Sequence, residues 1–237
     1  MECLTLKNVS FSYPKKDSIS ALFKVRNPTS EKLILNNISL SLKEGEILGI
    51  VGNNGMGKST LLRLISGVYK PDSGEIKANY TISSILALGT GFNLDLTAEH
   101  NIRINSLLTN IPYEMIHEIV EKVIEFAELQ DYREMPMRHY SSGMQSRLSF
   151  SLVILTNPQI LIIDEILSVG DLKFAKKATA AMMELRKKAK CQLIVSHDLE
   201  FLAQNCTVCA WLNKGQIEMV GSTKEVILEY KKTILSN

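Results

Sequence analysis

Hydrophobic and polar residues alternate with a period of two near the start of the chain. The pattern covers residues 3–12 and 33–42, which contain "LTLKNVSFS" and "LILNNISLSL". Such alternation predicts two strands, each with one buried face. The segment between them, "YPKKDSISALFKVRNPTSEK", is polar and rich in turn residues. It therefore predicts a long connection or an extended hairpin tip.

The alternation of hydrophobic and polar residues ends before residues 46–51. The short apolar run "EILGIV" is typical of a central strand that is buried on both faces. From Lys58 onward the apolar residues cluster with helical spacing at 61, 62, 64 and 65. Gly67 then stands where a helix ends, and "KPDSGE" predicts a turn.

The middle of the chain predicts a helical lobe, which we place at about residues 90–155. In "IPYEMIHEIVEKVIEFAELQDY", apolar residues recur at 116, 119, 120, 123, 124 and 127, which indicates an amphipathic helix. Pro112 suits its first turn, and its acidic face is expected to be solvated.

After the lobe, strands and helices alternate again. The predicted order is strand "ILIID", helix "DLKFAKKATAAMMELRKKA", strand "CQLIVSH", a helix from Asp198, strand "VCAWLNKGQIEMV" and the short helix "TKEVILEYKKTIL". This alternation predicts an α/β fold with a largely parallel sheet and helices on both faces.

Composition narrows the class of protein. The chain has 237 residues and a net charge of +2, so it lacks the strong basicity expected of a nucleic-acid-binding protein. No apolar run approaches the ~18 residues of a membrane span, and the first residues do not resemble a secretory signal. We therefore expect a cytoplasmic protein. Cys206 and Cys209 form a C-x-x-C pair without a second pair nearby, and we interpret them as core thiols.

The stretch "GNNGMGKST" matches the phosphate-binding loop G-x-x-x-x-G-K-[ST], after a predicted strand and at the start of a helix. Glycines allow phosphates to approach the backbone, whose N–H groups form an anion nest beside the helix N-terminus. Lys58 is expected to contact the β- and γ-phosphates, and Ser59 to hold Mg²⁺. The predicted nucleotide-binding residues are Gly52, Asn53, Asn54, Gly55, Met56, Gly57, Lys58, Ser59 and Thr60.

Two later strand ends supply chemistry that fits a nucleotide. The strand "ILIIDE" ends in two carboxylates. Asp164 is expected to hold Mg²⁺, and Glu165 to orient and deprotonate the attacking water. His197, in "IVSHD", ends another strand and is expected to contact the γ-phosphate, because ligands bind at the carboxyl edge of such sheets. Two solvated acids and an isolated histidine remain the plainer interpretation of these residues.

Together with "YSSGMQSR", these motifs follow an order that resembles the nucleotide-binding subunits of ATP-binding cassette (ABC) transporters along essentially the whole chain. The resemblance implies a P-loop NTPase fold: a RecA-like, mostly parallel sheet, an N-terminal antiparallel portion and an inserted helical subdomain. It also implies that a serine-glycine motif caps the ATP of a second subunit, head-to-tail. The positions matching that motif begin at Tyr140, and those expected to act in trans are Ser141, Ser142, Gly143 and Met144.

Several positions depart from the general family pattern. Ser142 and Met144 replace a glycine and a glutamine, and "YSSGM" with "DEILSVGD" looks like the ATPases that export O-antigen, capsule or teichoic acid. By the same resemblance, Ser168 and Asp171 belong to the loop that couples the two sites of a dimer. Leu88 stands about where the family has a magnesium-binding glutamine.

The adenine-stacking aromatic has two candidates. Tyr13, in "VSFSY", matches the family position, and Phe23 is an alternative because the connection after Tyr13 is long. A plain tyrosine at a strand end is the alternative interpretation of Tyr13.

The resemblance implies an ATPase with ATP and Mg²⁺ as cofactors, at the cytoplasmic face of the membrane. Its expected partners are an integral-membrane permease and a second copy in the ATP-bound state, and its expected cargo is a lipid-linked surface polysaccharide. The expected domain is a single ATPase domain over 1–237, without a C-terminal carbohydrate-binding domain.

Export of another substrate, a non-transport ABC ATPase and a module that switches without turnover are the alternatives. The short segment between Lys58 and Ser141 lacks the coiled coils of DNA-acting members, and Glu165 favours hydrolysis.

Overall fold

The computed structural model describes residues 1–14, 31–84, 92–109, 111–164 and 172–235. The chain forms two compact units. The first unit contains Met1–Asn79 and Leu193–Asn237, and the second contains Tyr80–Gln192. Each unit is described separately below.

The first unit contains an antiparallel sheet with the strand order β2-β1-β4. Its inward residues, such as Leu4, Leu6 and Leu40, are buried, as the alternating pattern predicts. The pairing of β1 with β2 shifts between Leu6 and Val9, where Asn8 adopts a positive φ of 52°, a conformation that asparagine tolerates well. The strands are β1 (Glu2–Pro14), β2 (Glu31–Lys43) and β4 (Ser73–Ala78).

The first unit also contains the strand that leads into the glycine-rich stretch. The strands β3 and β8 pair in parallel, and β8 pairs with β9 in antiparallel orientation. The elements are β3 (Ile47–Val51), α1 (Lys58–Ile65), α6 (Leu199–Asn205), β8 (Val208–Asn213), β9 (Gln216–Ser222) and α7 (Thr223–Leu235). Gly67 follows α1 with a φ of 76°, consistent with the predicted helix end.

The C-terminal region differs from the sequence prediction. The segment predicted as one strand, 208–220, is a hairpin, because Lys214 and Gly215 have positive φ values of 45° and 78° and reverse the chain. Cys206 precedes the strand and ends α6, whereas Cys209 is buried within β8. Cys209 is a core thiol, as predicted, whereas Cys206 is only half-buried.

The second unit contains a pair of parallel strands and a group of helices. Its strands β5 and β6 pair in parallel, with Ile82 opposite Ile160. The fully buried strand β7 (Cys191–Val195) carries the chain back to the first unit. None of the helices in the described residues is long and apolar enough to span a membrane. The other elements are β5 (Ile82–Ser84), α2 (Ala98–Leu108), α3 (Tyr113–Ala127), α4 (Ser142–Thr156), β6 (Ile160–Asp164) and α5 (Leu172–Lys188).

The helices of the second unit share an apolar core. Helix α3 buries the stripe predicted from its periodicity, and α2 and α4 add side chains to the same cluster. Asn101 is 2% exposed within it. Its amide donates to the carbonyls of Asn93 and Thr97 at 2.9 Å and accepts a hydrogen bond from the Asn93 N–H. These bonds satisfy a buried polar group and hold the entry of α2 in place.

An ion-pair network joins the helices of this unit on their outer side. The Arg133 guanidinium donates to Glu121 at 2.7 and 2.9 Å and to Glu99 at 2.8 Å, and Arg103 donates to Glu99 at 2.7 Å. Hydrogen bonds from Arg103 and Arg133 hold the pKa of Glu99 below its usual value. A carboxyl group with a lowered pKa stabilises the fold above its unfolded-state pKa and loses that effect as the pH falls through the folded-state pKa.

We therefore expect Glu99→Gln to lower the free energy of unfolding by about 0.5–1 kcal/mol near neutral pH, the range of a partly exposed network. The deficit should shrink once the pH drops below about 4.3, where the wild-type carboxyl group of the unfolded chain becomes protonated. Urea unfolding at a series of pH values measures it. Glu125→Gln on α3 is the control, since the structure shows no ion pair for Glu125 within the described residues. A deficit that persists unchanged at about pH 3 would contradict the assigned cause.

Candidate nucleotide site

The glycine-rich stretch forms the loop between β3 and α1, as predicted. The last four residues of β3 and Gly52 are buried, whereas Asn53, Asn54 and Gly55 are exposed at the tip. The Met56 N–H closes a turn on the Asn53 carbonyl at 3.4 Å. The loop thus connects a buried strand to a helix through a short turn that is exposed to solvent.

Two glycines of this loop are required by packing and backbone conformation. A Cβ atom at Gly52 would lie 2.2 Å from the Leu212 carbonyl oxygen. A Cβ atom at Gly57, where φ is 103°, would lie 2.8 Å from Leu35 Cδ2. The backbone contact leaves no room for a side chain at Gly52, and the positive φ of Gly57 disfavours residues other than glycine there. A Cβ at Gly55 would meet nothing within 4 Å, so this glycine faces open space.

Gly57 is the N-cap of helix α1 and provides no side-chain hydrogen bond to the helix start. The first N–H groups of a helix lack intrahelical partners, and their partial positive charge favours anions. Lys58, the first residue of α1, is 8% exposed. Its Nζ donates to the carbonyls of Gly52 at 2.5 Å and Asn53 at 3.0 Å. An ammonium group and uncapped helical N–H groups thus converge on one loop, which is the chemistry of a phosphate site.

Ser59 and Thr60 point in different directions. Ser59 is exposed, whereas Thr60 is buried and its hydroxyl lies 3.3 Å from the Tyr13 hydroxyl. The exposed Ser59 hydroxyl offers the kind of oxygen ligand that Mg²⁺ accepts. The structure therefore leaves Ser59 available for the predicted metal role.

Tyr13 lies in an aromatic cluster beside α1. Its ring packs edge-on against Phe11 at 5.1 Å and Tyr69 at 5.7 Å between centroids. Burial raises the pKa of Tyr13, but hydrogen bonds from Thr60, Tyr69 and Arg63 outweigh this effect and the net pKa is lowered. Tyr13 is thus close to the loop and half-buried, and its adenine-stacking role stays a prediction. Phe23 lies outside the described residues.

His197 follows the buried strand β7 and is exposed. The next residue, Asp198, caps α6 by accepting hydrogen bonds from Glu200 N at 2.9 Å and Phe201 N at 3.0 Å. The change from strand to capped helix directs the chain into solvent at His197. This position agrees with a residue at the carboxyl end of a strand, as predicted from the sequence.

The strand β6 ends at Asp164, after four buried apolar residues. The structure describes the backbone of Asp164 but not its side chain. The predicted catalytic Glu165 and the predicted coupling residues Ser168 and Asp171 lie outside the described residues, as does Leu88. Among the described side chains, no group of three or more histidine, cysteine or acidic residues forms a metal site.

The serine-glycine motif forms the N-terminus of α4. Ser141 is the N-cap, and its Oγ accepts a hydrogen bond from Met144 N at 3.2 Å. Ser141 and Ser142 are exposed, and Gly143 and Met144 are half-buried. The motif therefore presents a capped helix N-terminus at the surface of the second unit.

The residues that support this helix terminus were missed by the sequence analysis. The Gln145 amide donates to the carbonyls of Met137 and Tyr140 at 3.3 Å each. The buried Tyr140 donates its hydroxyl hydrogen to the Tyr132 carbonyl at 2.7 Å. A glutamine four residues after the N-cap was the available signal, because its amide can reach back to the preceding turn.

Comparison with known proteins decides the family. The family described as ABC transporter matches residues 35–168, a range that contains the glycine-rich loop, the serine-glycine motif and both carboxylates. The chain belongs to the ABC transporter family. The family match and the solved structures that this chain resembles, given below, confirm the predicted ABC-type P-loop NTPase fold.

Two relatives of this ABC transporter chain are named for O-antigen export and for teichoic acid export. It is 41% identical over 200 residues to the O-antigen export system ATP-binding protein RfbB of Myxococcus xanthus, covering 84% of this chain and 46% of the relative. It is 42% identical to the teichoic acids export ATP-binding protein TagH of Bacillus anthracis, covering 83% of this chain and 36% of that protein. The chain thus spans half or less of the length of these two relatives.

The solved structures that it resembles have the same fold at low identity. An ATP-binding subunit of an ABC transporter matches with a TM-score of 0.69 and 20% identity, covering 97% of this chain and 93% of that one. A dimeric ATP-binding cassette in a post-hydrolysis state with ADP and Pi matches with a TM-score of 0.67 and 21% identity, covering 93% and 98%.

Proposed function

We propose that this chain is the ATP-hydrolysing subunit of an ABC exporter that moves a lipid-linked surface polysaccharide across the cytoplasmic membrane. The observation that carries the proposal is the glycine-rich loop, in which Lys58 and the uncapped start of α1 converge. The subunit would act at the cytoplasmic face of the membrane with an integral-membrane permease. Export of another substrate, such as a lipid, drug or peptide, is the alternative.

The loop residues bind the triphosphate in this proposal. The N–H groups of residues 53–60 surround the phosphates, and Lys58 Nζ neutralises charge on the β- and γ-phosphates. Ser59 and Asp164 would hold Mg²⁺, which neutralises phosphate charge and orients the γ-phosphate when bound.

Hydrolysis requires a base and a γ-phosphate contact. Glu165 follows directly after β6 and would orient and deprotonate the attacking water. His197 is exposed after β7 and would donate a hydrogen bond to a γ-phosphate oxygen. Ser168 and Asp171 would couple one site to the other in the dimer.

The serine-glycine motif would complete the site of a second copy. A hydroxyl can accept one hydrogen bond and donate another, so Ser141 Oγ can cap α4 through Met144 N and still donate its hydrogen to a phosphate oxygen. The N–H groups of Ser142 and Gly143 lie in the first turn of α4, where they favour an anion. Two copies arranged head-to-tail would therefore hold two ATP molecules.

The polysaccharide assignment rests on relatives and on motif variants. Relatives named for O-antigen export and for teichoic acid export are 41% and 42% identical to this chain. The "YSSGM" and "DEILSVGD" variants favour the same group of exporters.

Glu165→Gln should slow ATP hydrolysis by about 100-fold or more, the contribution of a general base, while ATP binding is retained. The variant with ATP and Mg²⁺ should therefore accumulate as a dimer in gel filtration with bound nucleotide. Lys58→Ala in the same background is the control, and it should stay monomeric because the triphosphate loses its lysine. If Glu165→Gln neither dimerises nor retains nucleotide, the proposed head-to-tail dimer that holds ATP between its two copies is wrong.

Ser141→Asp in the Glu165→Gln background separates capping from phosphate binding. Aspartate caps a helix as well as serine does, so the free energy of unfolding should change by less than about 0.5 kcal/mol. The added negative charge should weaken ATP-dependent dimerisation by at least about tenfold, because like charges repel across the interface. Analytical ultracentrifugation measures the dimer affinity. Thr97→Asp at the N-cap of α2 is the matched control and should dimerise normally; equal behaviour of the two variants would exclude Ser141 from the interface.

In the cell that makes the chain, Lys58→Ala should reduce newly made polysaccharide at the surface by at least about tenfold, and lipid-linked polymer should accumulate inside. The reason is that Lys58 provides the main positive charge that binds the phosphates. Pulse labelling of the sugar and extraction of lipid-linked glycans measure both pools. The exposed Lys187→Ala is the control. Normal surface polysaccharide despite lost ATPase activity would favour another cargo.

A further inference from the structure

Helix α7, near the C-terminal end of the chain, contacts the glycine-rich loop. The Tyr230 hydroxyl donates a hydrogen bond to Asn53 Oδ1 at 3.0 Å. The backbone carbonyl of the same Asn53 accepts from Lys58 Nζ at 3.0 Å. One loop residue is thus held through its side chain by α7 and through its backbone by the lysine.

Tyr230 is itself held in a defined position. Its side chain is 8% exposed, and its ring packs against Trp211 of β8 at 5.8 Å between centroids with an interplanar angle of 72°. At the other end of α7, the Thr223 hydroxyl donates to the Cys206 carbonyl at 2.9 Å. Burial raises the pKa of Tyr230, so the hydroxyl stays protonated and able to donate at neutral pH.

The hairpin before α7 contacts the same loop. The Lys214 N–H lies 3.2 Å from Met56 Sδ, and the Leu212 carbonyl occupies the space where a side chain at residue 52 would stand. The hairpin therefore packs closely against residues 52 and 56 of the loop. Tyr230 adds a hydrogen bond to the exposed part of the loop between them.

We propose that Tyr230 is a positioning residue for the nucleotide site: its hydroxyl orients Asn53 and thereby the loop whose N–H groups and lysine bind phosphate. The proposal rests on the proposed ATP binding and assigns part of its affinity to α7. Loop N–H groups must point at the phosphates for a nest to form. A small misorientation therefore weakens phosphate binding even when the fold is intact.

Tyr230→Phe tests the hydroxyl and keeps the ring against Trp211. The Kd of a fluorescent ATP analogue with Mg²⁺, and the KM for ATP, should rise by about three- to tenfold, the range of one neutral hydrogen bond, with a smaller change in kcat. Thr223→Val is the matched control, since Thr223 is 4% exposed and donates its own buried hydrogen bond from the same helix. It should lower the melting temperature and leave the Kd unchanged.

A double-mutant cycle with Asn53→Ala tests the partner. If Tyr230 acts through Asn53, the double variant should bind no more than about twofold more weakly than the poorer single variant, because coupled residues are not additive. Additive losses, or wild-type Kd and KM in Tyr230→Phe, would overturn the inference and leave the proposed function standing. Absence of ATP binding by the wild-type chain would instead refute both.

Discussion

The close approach of the glycine-rich loop to the strand β8 is the constraint on which the site depends. At Gly52 there is no room for a side chain, because a Cβ would lie 2.2 Å from the Leu212 carbonyl oxygen. The chain leaves β3 at this point and enters α1 through Gly57, whose φ of 103° excludes most residues. Packing in the first unit therefore restricts the path of the loop at both of its ends.

The starts of α1 and α4 present different chemistry. Helix α1 begins at a glycine with no side-chain cap, so its first N–H groups retain their capacity to bind an anion. Helix α4 begins at Ser141, which caps Met144 N. The start of α1, together with Lys58, is suited to bind a triphosphate tightly. The start of α4 is suited to add a weaker contact. This difference agrees with the proposed roles, in which one copy retains the nucleotide and its partner closes on it reversibly.

Local patterns predicted most elements, and they failed where two distant segments decide the structure. The loop and α1 follow from glycines and helical spacing over adjacent residues. The break between β8 and β9 was missed because apolar residues continue on both sides of Lys214, whose positive φ is unusual for a lysine. The contact between Tyr230 and Asn53 spans most of the chain, and no periodicity reports on such a pair. The predicted site residues Glu165, Ser168 and Asp171 lie outside the described residues and stay predictions.

The support of the nucleotide loop extends beyond the part of the chain that the family description matches. That match ends at residue 168, whereas Leu212, Lys214 and Tyr230 contact the loop from the C-terminal region. Residues that bind phosphate are constrained by the ligand, but residues that hold the loop need only fit their neighbours. Under the proposed role of Tyr230, two ABC proteins with the same loop sequence would differ in nucleotide affinity where the hairpin or α7 differs. In the proposed site the position of α7 matters for the loop, because moving Tyr230 by about 1 Å would break a hydrogen bond of ordinary length.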